Sequence, residues 1–264
     1  MAEQTWAVPV PAGSRETLPE LDIQDPGRQR RWTVLLRWLL LVPQYIVLVL
    51  LGIAAFFVMV AGWFAALVLG RLPEPIAAFL AGFLAYETRV HAYGMLLVDR
   101  YPPFAFTAPE HPVQIEVHPG SLNRLAVLFR IILLIPAAVV AGLLTSGFYT
   151  VSILIWLVTL VLGRLPDPVF GATAAVARYS MRLSAYVSML TAAYPKRLFG
   201  DDAQPTTQPR SATRPLLLSG GAKGLVVVFL VVGLASGAFS GTGSSSDSSN
   251  SAGRTSQSGA QPGR

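Results

Sequence analysis

Residues 31–75 read RWTVLLRWLLLVPQYIVLVLLGIAAFFVMVAGWFAALVLGRLPEP, and residues 124–168 read RLAVLFRIILLIPAAVVAGLLTSGFYTVSILIWLVTLVLGRLPDP. Both open on Arg, place a second Arg (Arg37, Arg130) ahead of a Pro (Pro43, Pro136), continue as a long uncharged run and close on one turn motif. Shifted by 93 residues, Arg31–Pro102 aligns without a gap on Arg124–Pro195, and 28 of the 72 positions are identical. The identities include Trp63 with Trp156, Tyr86, Arg89 and Tyr93 with Tyr179, Arg182 and Tyr186, and Tyr101-Pro102 with Tyr194-Pro195. Chance similarity between apolar runs would keep Leu on Leu but not these polar, aromatic and proline positions, so the chain is a tandem duplication.

The composition sets the class. Hydrophobic residues make up 53% of 264 and charged residues 13%, about half the usual charge of a soluble domain. With a mean hydropathy of +0.53, a soluble globular protein, a disordered chain and a coiled coil are excluded, which leaves an all-α integral membrane protein. The absence of Cys excludes a disulfide framework, a thiolate metal site and a cysteine nucleophile. The net charge of +6 comes from basic residues at the ends of apolar runs. That pattern fits membrane loops and argues against a nucleic-acid partner.

Within one unit, Arg31–Val42 is a short amphipathic stretch, and Pro43 predicts a break in the backbone, hence an interfacial elbow helix. Gln44–Leu69 carries no charge and is about 39 Å long as a helix, enough to cross a core of about 30 Å. Gly70–Pro75 is a turn, and Ile76–Val98 is a second stretch of spanning length that carries Glu87, Arg89 and His91; it either crosses the membrane or lies in the interface, and loop charge favours the crossing. The second unit repeats the plan with Ala137–Leu162, a turn at Gly163–Pro168, and Val169–Ala193. Two crossings per unit would put residues 1–43, 100–136 and 194–223 on one side, together with most loop Arg and Lys. The positive-inside rule makes that side cytoplasmic.

The expected architecture is therefore two tandem transmembrane hairpins with elbow helices. They are flanked by a flexible segment 1–19, with repeats at 20–108 and 111–200. A linker at 201–215, a fifth transmembrane helix at 216–239 and a disordered Ser/Gly tail at 240–264 follow. The N-terminus is expected to be cytoplasmic and the tail external. Alternation in Glu20–Gln24 and in Val113–Val117 predicts a small two-stranded cytoplasmic sheet, antiparallel, with one strand from each unit. The two alternations are one residue out of phase under the 93-residue shift.

A short strand, Arg37 to Pro43, Gly70 to Pro73, Tyr86 to Tyr93 and Tyr101 to Phe104, with a second copy from Arg130 to Pro195, resemble the bacterial membrane family catalogued as domain of unknown function 4389. The resemblance covers about residues 20–108 and 111–200. Tyr194-Pro195-Lys196-Arg197 departs from the Tyr-Pro-Pro-Phe ending. The resemblance implies the bacterial inner membrane and this topology, and no activity.

Two sets of residues could carry chemistry. Tyr86, Arg89 and Tyr93, and their copies Tyr179, Arg182 and Tyr186 with Arg178 one turn before Arg182, each share a helix face. An Arg fork suits an anion, a lipid phosphate or a carboxylate; the same stripe also suits a structural role, with Arg on carbonyls and Tyr. Glu87 and His91 share a face at i, i+4 in the first unit only. They suit a proton relay or a neutralising partner for a central Arg. His91, His111 and His118 form no metal-ligand cluster with nearby acids, and no catalytic triad or phosphate loop stands out. Gly52, Gly62, Gly82, Gly142 and Gly147 are expected to permit close helix contact. The reading is a non-enzymatic envelope scaffold or accessory subunit without cofactor. Its expected partners are the lipid bilayer, an anionic lipid, and a membrane protein or a second copy of the chain. The alternative is a small transporter or channel with an anionic group bound between the repeats by Arg89 and Arg182.

Overall fold

The computed structural model describes residues 18–24, 27–117, 122–201 and 211–242. The expected flexible segment (save Leu18 and Pro19), His118, most of the linker and the tail beyond Thr242 lie outside these. Among the described residues five helices and two strands follow one another as β1 (Glu20–Ile23), α1 (Arg31–Leu69), α2 (Glu74–Gly94), β2 (Val113–Glu116), α3 (Arg124–Leu162), α4 (Asp167–Val187) and α5 (Gly220–Thr242).

The elbow is not a separate helix. α1 runs unbroken for 39 residues through Pro43, and α3 for 39 residues through Pro136. At Pro43 the ring withholds the donor for the carbonyl four residues back and crowds that carbonyl, yet the helix continues. The neighbouring Leu40 carbonyl accepts from the Tyr101 hydroxyl at 3.3 Å. Both helices stop where the sequence places a glycine. Gly70 and Gly163 adopt φ of 69° and 68°, and their N–H groups close the last turn on Ala66 and Thr159. Pro75 and Pro168 then open α2 and α4 within the first turn.

The long helices run antiparallel to each other. Gln29 N–H donates to Gly163 O at 2.8 Å and Leu122 N–H to Gly70 O at 3.0 Å, so the start of each long helix lies at the end of the other. Along their length, Trp156 Nε1 donates to Val34 O at 2.8 Å and Trp63 Nε1 to Val127 O at 3.3 Å. Each contact has its counterpart 93 residues on. This corrects the expected sidedness: the turn at Gly70 adjoins Leu122, which two crossings per unit would place on the opposite side.

α2 folds back along α1. Gly94 meets Leu41, and Leu72 and Ile76 meet Gly62. The sheet packs on the far side, β2 on α2 and β1 on α4, and not on the long helices. β1 and β2 pair antiparallel, Leu21 opposite Ile115 and Ile23 opposite Val113, as expected; the strands lie 93 residues apart and pair without a bulge. The result is three layers: long helices, short helices, sheet. α5 packs on α3 and α4. It begins at Gly220 rather than residue 216 and continues to Thr242, past the expected start of the tail. Added methyl groups at Gly147 and Gly233 would overlap the carbonyls of Phe229 and Leu143. Gly62 and Gly82 are also tightly packed, whereas Gly142 has nothing nearby and Gly52 only the edge of Phe83.

Among the described residues, three helices are long and apolar enough to cross a membrane: α1, α3 and residues 220–238 of α5. α2 and α4, each expected to cross, are not among them.

Candidate functional site

The tyrosine–arginine stripes do not act as units, because their members turn to different partners. Tyr86 donates to Gln44 Oε1, and Gln44 Nε2 donates to Pro102 O at 2.7 Å. Arg89 donates to the carbonyls of Ala105 and, at 2.9 Å, Phe106. Tyr93 lies under the guanidinium of Arg37, 4.4 Å from ring centroid to Cζ. In the second unit Arg182 donates to Pro19 O and Lys196 O, both at 3.0 Å. Arg178 pairs with Asp201 at 2.6 Å, and Tyr186 lies under Arg130 at 4.1 Å. Tyr179 is buried. The arginines thus hold the loops that follow α2 and α4, plus the segment before β1. Burial alone would raise the Asp201 carboxyl, but the adjoining Arg178 guanidinium and the Leu216 N–H bring it below the usual carboxylate range.

Sequence reasoning passed over Arg37 and Arg130 as elbow residues. They are among the most buried charges, 2% and 5% exposed. Arg37 donates to Tyr93 O at 2.8 Å, Gln29 Oε1 at 3.3 Å and Asp99 Oδ1 at 3.2 Å. Arg130 donates to Thr191 O at 2.6 Å, and among the described residues its Nε and Nη1 have no hydrogen-bond partner beside the Tyr186 ring. Equal spacing ahead of Pro43 and Pro136 was the available signal.

The far end of the expected linker also has a defined place. Thr213 Oγ1 accepts from Ile23 N–H at 2.7 Å and donates to Leu21 O at 2.9 Å. Arg214 forms ion pairs with Glu20 and Glu116, one from each strand.

Where the short helices face each other there is a cavity of about 180 Å³. Glu87, Thr88 and His91 of α2 line one side, and Ser180, Met181 and Ser184 of α4 the other. Thr145 and Tyr149 of α3 complete the polar lining. Ser180 and Ser184 are the positions that the 93-residue shift aligns with Glu87 and His91. Neither Arg89 nor Arg182 reaches this cavity. Among the described residues Glu87 has no ion pair, so the expectation that it neutralises a central Arg is corrected.

Two copies of one helical unit, each a long apolar helix and a shorter one that folds back on it, define a class of tandem-repeat helical chains with membrane-compatible helices. The family model described as "Domain of unknown function (DUF4389)" matches residues 31–105 and 124–198, more than half of the chain, and the chain belongs to that family. Neither a search of curated proteins nor a search of solved structures returned a match.

Proposed function

We propose that the chain is a non-enzymatic scaffold or accessory subunit of the bacterial inner membrane, which binds lipid or a protein partner, and that it lies within one leaflet. The supporting observation is the polarity of the three layers. The outer face of α1 is apolar from Trp32 to Leu69, and that of α3 from Leu125 to Leu162. Each such face is about 56 Å long. To fit a core of about 30 Å it would need a tilt of roughly 60°, beyond the usual range of about 0–40°.

An upright α1 would carry a second difficulty. α2 covers α1 from about Leu41 to Gly62, and β2 lies against the Ala78–Arg89 part of α2. The sheet, with Glu20, Glu116 and Arg214, would then sit at the depth of the bilayer centre, where charge is costly. If the pseudo-two-fold axis that relates the units lies along the membrane normal, α1 and α3 rest in the leaflet and the sheet faces water. A helix about 10–12 Å across fits half of that core. Exposed Arg31 and Arg164 at one end, and Arg71 and Arg124 at the other, then reach anionic headgroups.

The pathway reading loses its support, because Arg89 and Arg182 turn to separate loop carbonyls. Alkaline carbonate extraction of membranes from expressing cells tests the membrane reading. The chain is expected to stay in the pellet, with anionic lipid retained in native mass spectra after mild detergent extraction. Release of the chain as a soluble dimer, with a second copy covering the apolar face, would contradict it.

A further inference from the structure

The cavity between α2, α3 and α4 has a chemistry that the scaffold reading leaves unused. Its lining holds one carboxylate, one imidazole and the hydroxyls of Thr88, Thr145, Tyr149, Ser180 and Ser184, and neither Lys nor Arg. Thr88 already donates to Leu84 O at 2.7 Å. Among the described residues the side chains of Glu87 and His91 have no hydrogen-bond or ion-pair partner. They stand i, i+4 on one face of α2 and both open into the cavity. A half-buried carboxylate is normally paired, so a complementary charge must come from outside the chain or the group must take up a proton.

The lining decides the sign and kind of ligand. With a carboxylate present and neither Lys nor Arg, an anion is disfavoured. Carboxylate, imidazole nitrogen and hydroxyl oxygens all accept hydrogen bonds, which suits N–H donors. Among the described residues no group of three His, Cys, Asp or Glu stands together, so a multivalent metal ion finds too few strong ligands. The volume matches about six waters, or a small amine with its hydration. The flanking Met95, Met181 and the Tyr149 ring would receive a short alkyl group. We infer that this cavity is a binding site for a small protonated amine. Glu87 supplies the opposite charge, and His91, Ser180 and Ser184 accept its N–H groups. The site is built from both units but carries its charge on one, and it does not depend on how the chain sits in the bilayer.

The test is calorimetric titration of the full chain in lipid nanodiscs with ethylammonium chloride, compared with sodium chloride at equal ionic strength. Saturable ethylammonium binding is expected, at least tenfold weaker in Glu87→Gln. It should be abolished in Ser180→Met, which fills the space from α4 and leaves Glu87 in place. Thermal unfolding of each variant reports whether it folds; if Glu87→Gln does not, Ser180→Met decides. No saturable binding by the unaltered chain, equal affinity in the folded variants, or equal affinity for sodium would each overturn the inference and leave a water-filled cavity.

Discussion

Arg37 and Arg130 occupy the same place in the two units and differ in what neutralises them. Asp99 and Gln29 serve Arg37; the positions 93 residues on are Ala192 and Leu122, neither of which can. Removing the acid from a buried pair leaves an uncompensated charge. Asp99→Ala is therefore expected to cost about 3 kcal/mol, read as a lowered unfolding midpoint in detergent. The converse substitution, Ala192→Asp, offers Arg130 the missing partner and should stabilise by about 1 kcal/mol. An unchanged midpoint for Ala192→Asp would mean that the unpartnered nitrogens of Arg130 are satisfied in another way. The residues of the tyrosine–arginine stripes could be picked out from the repeat, but not their partners. Arg89, Arg130 and Arg182 donate to backbone carbonyls, and a carbonyl leaves no mark in a sequence. Leu96 and Met189 were illegible for a related reason. Both end a short helix at positive φ, 64° and 58°, where no glycine signals the turn.

Among the elements, the two-stranded sheet was readable because alternation and strand order fixed its pairing. The elbow was not, because a proline inside a long apolar run does not end the helix: α1 and α3 continue through Pro43 and Pro136. α5 is held by close backbone approach at Gly147 and Gly233 and by Phe229, buried edge-on against Phe148. Gly147→Leu should force it off α3, at a cost of about 1–3 kcal/mol, and make the α4–α5 connection more sensitive to limited proteolysis.

The loop before β2 carries a pH dependence. His111 is buried; its Nδ1 accepts from Val113 N–H at 3.2 Å, and its Nε2 lies 3.4 Å from Arg100 O. One neutral tautomer satisfies both. Burial, with Arg89 and Arg100 nearby, holds its pKa below the usual histidine value. A lowered folded pKa means that the unfolded chain binds the proton first. The stability is present above about pH 6.5 and falls as pH drops below it. Unfolding midpoints at pH 8 and pH 5.5 should show that loss, and His111→Gln should flatten the slope. An identical slope in the variant would assign the dependence elsewhere.

For the molecule as a whole, the duplication was legible and the relation between the copies was not. A 93-residue shift says that there are two units, but the bonds from Gln29 to Gly163 and from Leu122 to Gly70 set their direction, and these are again backbone to backbone. The count of loop charges suggested two crossings per unit only because it assumed that both long helices start on one side. With the helices antiparallel, each end of the pair carries exposed Arg from both units, Arg28, Arg30, Arg31 and Arg164 at one and Arg71 and Arg124 at the other, so the charges no longer sort by the ends of a unit. The layers then place apolar surface at one pole and the charged sheet at the other, which suits a protein resting in a leaflet. Because the chain has no Cys, single cysteines report on this directly. Arg28→Cys, Arg71→Cys, Arg164→Cys and Glu110→Cys, all at exposed positions, would each be labelled with a membrane-impermeant maleimide in sealed vesicles. The account predicts that all four react from the same side and none from the other. Reaction of Arg71→Cys from the side opposite to Arg28→Cys would show that α1 crosses the bilayer and would contradict it.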